Sequence, residues 1–189
     1  MAPFISGTDA AESSRFVAEE ENIDERAQVI VRTIEEKVLS FIIHYRDFYS
    51  EYSKLNNAVQ GSENIQNELK SLRMATDTLT SIKNIFEKEL SGFVRYREVL
   101  KMEEREIELY EGALKDLRNM LYDLDAYIKN LKLITAWVSG NDPAATTEGI
   151  KAGIKRALDL LQKEYEKFTA EDGDLIRILR AYKTIAGHN

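Results

Sequence analysis

Glu68, Glu89 and Glu103 fall on a seven-residue repeat whose other positions are mostly apolar. Carboxylates that project into a helical bundle can hold metal ions; di-iron carboxylate bundles add a Glu-x-x-His pair on each of two helices. The histidines here are His44 and His188, and the residues three places before them are Phe41 and Ile185. Glu68 and Glu89 would lie about 31 Å apart on one helix, too far to share an ion. The three glutamates therefore read as polar layers that set helix register, or as places where the seam opens to water. No metal, cofactor or catalytic residue is expected.

A second acidic group is Glu103, Glu104, Glu106, Glu108 and Glu111. Magnesium-dependent hydrolysis on a helical scaffold needs acidic pairs on neighbouring helices. Lys101, Arg105 and Lys115 interleave with this run, and Glu111 with Lys115 has the four-residue spacing of a surface ion pair. The run reads as a solvated face. His44, beside Phe41 and Tyr45, reads as a packed or half-exposed histidine. Neither a Gly-x-Ser-x-Gly elbow nor a glycine-rich phosphate loop is present.

Five residues stand out as interaction candidates. Lys151, Lys155 and Arg156 form a small basic group flanked by Glu148 and Asp159, suited to an acidic peptide or to nucleic acid. Trp137, the single tryptophan, sits off the seam near a loop, where it can cap a bundle end or anchor an interface. Tyr49 is the member of the Tyr45, Tyr49, Tyr52 group expected to face solvent.

The elements that must position these residues are all helical. An apolar repeat in steps of three and four runs from Ile65 to Val138 without a change of phase, which keeps one side of a helix against a partner. A similar stripe runs from Ala27 to Val59, and another from Ile154 to Ala186. Helices are expected over about 24–59, 62–90, 93–138 and 148–187, the acidic patch at 171–174 either kinking the last one or separating two that share a face. Gln60-Gly61-Ser62 reads as a tight hairpin in which Ser62 caps the next helix. Ser139-Gly140-Asn141-Asp142-Pro143 reads as a loop, with Thr146 or Thr147 capping the helix after it.

Arms of similar length on either side of these turns should pack as antiparallel neighbours. Counting back from the first turn brings Phe48 near Ala75 and Tyr52 near Leu72. The expected fold is all-α: an antiparallel up-down four-helix bundle that turns at Ser91-Gly92. The alternative is an elongated antiparallel coiled coil in which residues 62–138 form one helix. Apolar residues off the seam (Ile85, Val99, Met120, Ile134) favour the bundle, because a two-helix coil would leave them wet. Residues 1–22, small, polar and acidic, read as a disordered tail, and 23–189 as one domain.

The chain has 189 residues, a net charge of -7 and no cysteine. Its charge argues against general affinity for phosphate backbones or anionic lipid. No apolar run approaches the ~20 residues of a membrane span, and the start lacks the pattern of a signal peptide. A cytoplasmic location is the expectation. The pattern points to a non-enzymatic helical scaffold or interaction protein that binds a protein partner or itself, as a homo-oligomer, without membrane insertion. One alternative is a metal-dependent helical hydrolase or regulator using clustered carboxylates. A weaker one is a nucleic-acid accessory subunit using the basic C-terminal segment, although nucleic acid is not the expected partner.

Overall fold

The fold is taken from a computed structural model, which describes the backbone of residues 9–99, 102–140, 142, 145–170 and 173–186. Side chains are described at 25, 28–97, 102–140, 142, 145–170, 173 and 175–184. Five helices follow one another: α1 (Asp9–Gly61), α2 (Leu69–Val99), α3 (Glu104–Ser139), α4 (Thr147–Thr169) and α5 (Asp174–Ala186). A 3₁₀ turn, Ile65–Glu68, leads into α2. There is no strand among the described residues. The all-α bundle is the fold.

Helix α1 starts at Asp9, well ahead of the expected residue 24. Residues 9–22 are therefore helix rather than disordered tail; residues 1–8 lie outside the described residues. The physical reason is local. No glycine or proline occurs from Asp9 to Gln60, and the stretch is rich in alanine and glutamate, which favour helix. Its acids also suit the positive end of the helix dipole.

One face of α1 is buried throughout, from Ile30 and Ile34 through Val38, Phe41, Tyr45, Phe48, Tyr52 and Leu55 to Val59. Helices α2, α4 and α5 all pack on α1, and α3 packs on α2 and α5. Directions follow from the pairs that meet. Phe41 of α1 lies against Phe86 of α2, with ring centroids 4.6 Å apart. Tyr45 and Tyr49 both stack on Tyr165 of α4 at 6.3 Å. Along α2 and α3, Lys83 meets Asp125 at 3.4 Å and Arg97 meets Glu111 at 2.8 Å. Residue numbers fall on α3 as they rise on α2; likewise Gln60 bonds Lys151 while Tyr45 meets Phe168, and Leu55 borders Ala75 while Phe41 meets Phe86, so each of these helix pairs is antiparallel.

The first turn is longer than a tight hairpin. Asn64, not Ser62, supplies the cap: its Oδ1 accepts from the Gln66 N–H at 2.9 Å. The Ser62 hydroxyl instead donates to the Asn64 carbonyl. The extra residues and the 3₁₀ turn shift α2 along α1, which is why Phe41 meets Phe86, further along α2 than a tight hairpin counts.

The chain turns neither at Ser91-Gly92 nor nowhere. Helix α2 runs through Gly92 to Val99, and α3 begins at Glu104. A lone glycine costs a helix interior only about 1 kcal/mol, and Phe93 beside it is fully buried, stacked on Tyr110 at 4.3 Å. The Tyr110 hydroxyl donates to the Phe93 carbonyl, tying the two helices together just below the turn. Glu103 takes extended backbone (φ -73, ψ 162) ahead of α3, and its N–H donates to Glu106 Oε2 at 2.8 Å.

Helix α3 buries a wider face than one heptad stripe. Tyr110, Leu117, Leu124, Leu131 and Val138 form one row, and Ala113, Met120, Tyr127 and Ile134 a second beside it. Met120 and Ile134 are thus covered by the bundle; Ile85 is exposed, and the Val99 side chain lies outside the described residues. The last arm is two helices that share a face, the second of the two readings of the acidic patch at 171–174. Phe168 of α4 and Leu175, Leu179 and Tyr182 of α5 are buried in the same core.

Glycine substitutions separate the two junctions. A Cβ at Gly92 would meet nothing within 4 Å. At Gly173 it would lie 2.4 Å from the Lys167 carbonyl oxygen and 2.9 Å from that of Phe168. Gly92→Ala should stabilise the protein by about 0.5–1 kcal/mol in urea denaturation, and Gly173→Ala should destabilise it by more than about 1 kcal/mol.

Candidate functional site

Two groups of half-buried polar residues lie between the helices. The first is between α1 and α2. The Ser40 hydroxyl donates to Glu89 Oε2 at 2.6 Å, and His44 Nε2 lies 3.4 Å from Glu89 Oε1. Ser40 and His44 are one turn apart on α1, so both reach the same carboxylate across the seam. Ser, His and Glu are the residue types of a nucleophilic triad, but the connectivity differs. In a triad the histidine stands between the serine and the acid and takes the serine proton. Here the carboxylate stands between the other two and accepts from the serine. The arrangement anchors α2 on α1 next to the Phe41–Phe86 pair, and it accounts for one of the three seam glutamates.

The other two have different roles. Glu68 ends the 3₁₀ turn, half-buried. Glu103 is exposed, at the start of α3. The acidic run that follows is dispersed by the helix: Glu104 and Glu108 are exposed, Glu106 closes on the Glu103 N–H, and Glu111 pairs with Arg97 of α2. Among the described residues, no three His, Asp or Glu side chains come together as a metal ion would require.

The second polar place was not visible in the sequence. Asp123 of α3 and Glu164 of α4, both half-buried, are near enough to Tyr45 and Tyr127 for their charges to act on one another. Burial raises the Asp123 pKa above its usual value; Glu164 adds to the rise and Lys167 opposes it. Burial likewise pushes Tyr127 up to about 12, with Asp123 and Glu164 contributing. The Tyr45 hydroxyl is fully buried, with no hydrogen-bond partner. Asp123 and Glu164 are 41 residues apart in sequence on helices whose facing surfaces only the fold defines.

The expected interaction residues scatter. Lys151 is half-buried and donates to the carbonyls of Gln60, at 3.2 Å, and Ser62, at 2.5 Å. Gln60 Nε2 returns a bond to the Lys151 carbonyl at 2.8 Å. A cation on the last carbonyls of a helix satisfies both their hydrogen bonding and the negative end of the dipole. Lys151 therefore closes the C-terminus of α1, and the basic group is reduced to Lys155 and Arg156, both exposed. Tyr49 is half-buried rather than free: its ring stacks on Tyr165 and its hydroxyl donates to Gln162 Oε1 at 3.5 Å. Trp137 is 45% exposed and lines a shallow cleft with Ile134, Ala145, Thr146, Gly149, Ile150 and Gly153. Thr146 caps α4 there, accepting from the Gly149 N–H at 3.1 Å.

Comparison with family models, with curated proteins and with solved structures finds no match to this chain. No helix among the described residues is long and apolar enough to cross a membrane.

Two outcomes follow. Because the folded state holds the Asp123 proton more tightly than the unfolded chain, stability falls as pH rises through the window above the ordinary carboxylate value. Asp123→Asn should therefore raise the melting temperature at pH 7, and the gain should shrink as the pH falls toward 4, as scanning calorimetry can record. Lys151→Met should cost about 1 kcal/mol of stability, while Lys155→Met should be near neutral in the same denaturation assay.

Proposed function

We propose that the chain is a non-enzymatic helical interaction or scaffold protein that works through the outer faces of its helices and associates with itself. The observation that carries this reading is the set of large apolar side chains left in solvent. Leu39 and Ile43 stand one turn apart on α1, as do Leu133 and Trp137 on α3, and Met74 and Ile85 are exposed on α2. Single exposed apolar residues are ordinary, but turn-spaced pairs on long helices are the form in which helices recognise one another. The polar groups inside the bundle support the same reading: the Glu89 cluster joins α1 to α2, and Lys151 joins α4 to the end of α1. A cytoplasmic location belongs to this proposal and is compatible with the cysteine-free composition.

Sedimentation velocity across a wide concentration range tests it. The expected result is a concentration-dependent shift from monomer to a larger species. A monomer at every concentration would remove self-association, and tight stoichiometric magnesium, manganese or iron binding that raises the melting temperature would favour the carboxylate reading instead.

A further inference from the structure

The outward side of α3 is basic, although the protein as a whole is acidic. Between residues 115 and 137 its exposed side chains include four basic ones, Lys115, Arg118, Lys129 and Lys132, and no acidic one. Interleaved with them are three large apolar groups: Tyr122, 74% exposed, Leu133, 53%, and Trp137, 45%. The aspartates of this stretch, Asp116, Asp123 and Asp125, are drawn to the flanks and half-buried. Asp125 bridges Lys129 at 2.7 Å and Lys83 of α2 at 3.4 Å. Arg73 and Asp77 of α2 border the face at Lys132 and offset one another. The stripe is about 33 Å long at the helical rise.

Its electrostatic complement lies on the same chain. Helix α1 has 53 residues against 31 in α2 and 36 in α3. That is about 80 Å against about 46 and 54 Å. The C-terminal end of α1 is fixed beside the start of α4 by Lys151, and Glu35 pairs with Lys183 near the far end of α5. The excess length therefore lies on the N-terminal side, in residues 9–27, which amount to about 28 Å of helix. That segment carries seven acidic residues and two basic ones, with Phe16, Val17 and Ile23 among them.

We infer that the basic, aromatic face of α3 docks the acidic N-terminal segment of α1 from a second copy of this chain. This rests on the self-association proposed above and names its surfaces. The two stretches match in length and are opposite in charge, and each carries apolar residues among its charges. Because a helical α1 carries its acidic end away from its own α3, the docking is between copies. Each copy offers one segment and one face, so two such contacts related by a twofold axis close a dimer. A phosphate backbone would also suit lysines interleaved with aromatics, but the net charge of -7 opposes its approach.

Charge exchange on the full chain tests the inference. One variant carries Arg118→Glu and Lys132→Glu; the other carries Glu19→Lys, Glu20→Lys and Glu21→Lys. Circular dichroism melts check that each folds; the altered α3 positions are exposed. Each variant alone should self-associate at least about tenfold more weakly than the parent, equivalent to about 1.4 kcal/mol. Mixed together, the two should form a heterodimer. Zero-length carbodiimide cross-linking of the parent should join residues 9–25 of one copy to Lys115, Lys129 or Lys132 of another, and should fade with salt. Self-association that neither variant changes would overturn these surfaces and leave the interaction reading standing, whereas a parent that is monomeric throughout would overturn both. The same cross-links found within one copy, or binding of a labelled single-stranded 20-mer oligonucleotide that Lys132→Glu abolishes, would also overturn it.

Discussion

The buried face of α1 from Ile30 to Val59 is the surface on which α2, α4 and α5 all pack. Four of its residues are consecutive large aromatics, Phe41, Tyr45, Phe48 and Tyr52, and they set the spacing of the neighbours. Phe86 seats on Phe41, Tyr165 and Phe168 on Tyr45, and Tyr127 on Tyr52. Aromatic pairs contribute about 0.5–1.5 kcal/mol beyond their buried area, and these pairs join α1 to three different helices. The polar contacts sit around this stack and fix direction rather than supply the core: Glu89 at one flank, Lys151 at the end.

Much of this was legible because burial follows period. From Ile34 to Val59 the α1 stripe read from the sequence is the buried stripe; Ile30 rather than Val31 is buried ahead of it, and the Ala27 side chain lies outside the described residues. The loop before α4 and its Thr146 cap were also legible, since proline, glycine and threonine act through local backbone chemistry. The turn between α2 and α3 was not. A heptad pattern counts residues, and the connection happens to preserve the count, so an unbroken register does not imply an unbroken helix. Glu103 conceals the boundary further, because glutamate is not among the side chains that usually open a helix.

The candidate sites were less legible than the fold. Lys151 looked like part of a basic surface, but its partners are backbone carbonyls 89 and 91 residues away, which no composition argument finds. Asp123 and Glu164 are separated by a loop, nearly half of α3 and most of α4. The basic side of α3 is written plainly in the spacing of Lys115, Arg118, Tyr122, Lys129, Leu133 and Trp137. Recognising it required knowing which side of α3 faces outward, and the double row of buried residues on α3 settles that.

The dependence of α1 on α4 and α5 has a consequence for how the chain is made. During synthesis α1 leaves the ribosome before α2, which can fold back on it at once. The groove for Tyr165, Phe168 and Tyr182 stays open until α4 and α5 emerge, because α2 does not cover it. The carbonyls that Lys151 closes wait equally long. The nascent chain therefore spends most of its translation as a half-covered aromatic helix, the kind of surface that chaperones hold, and the bundle closes only when its C-terminal arm is free.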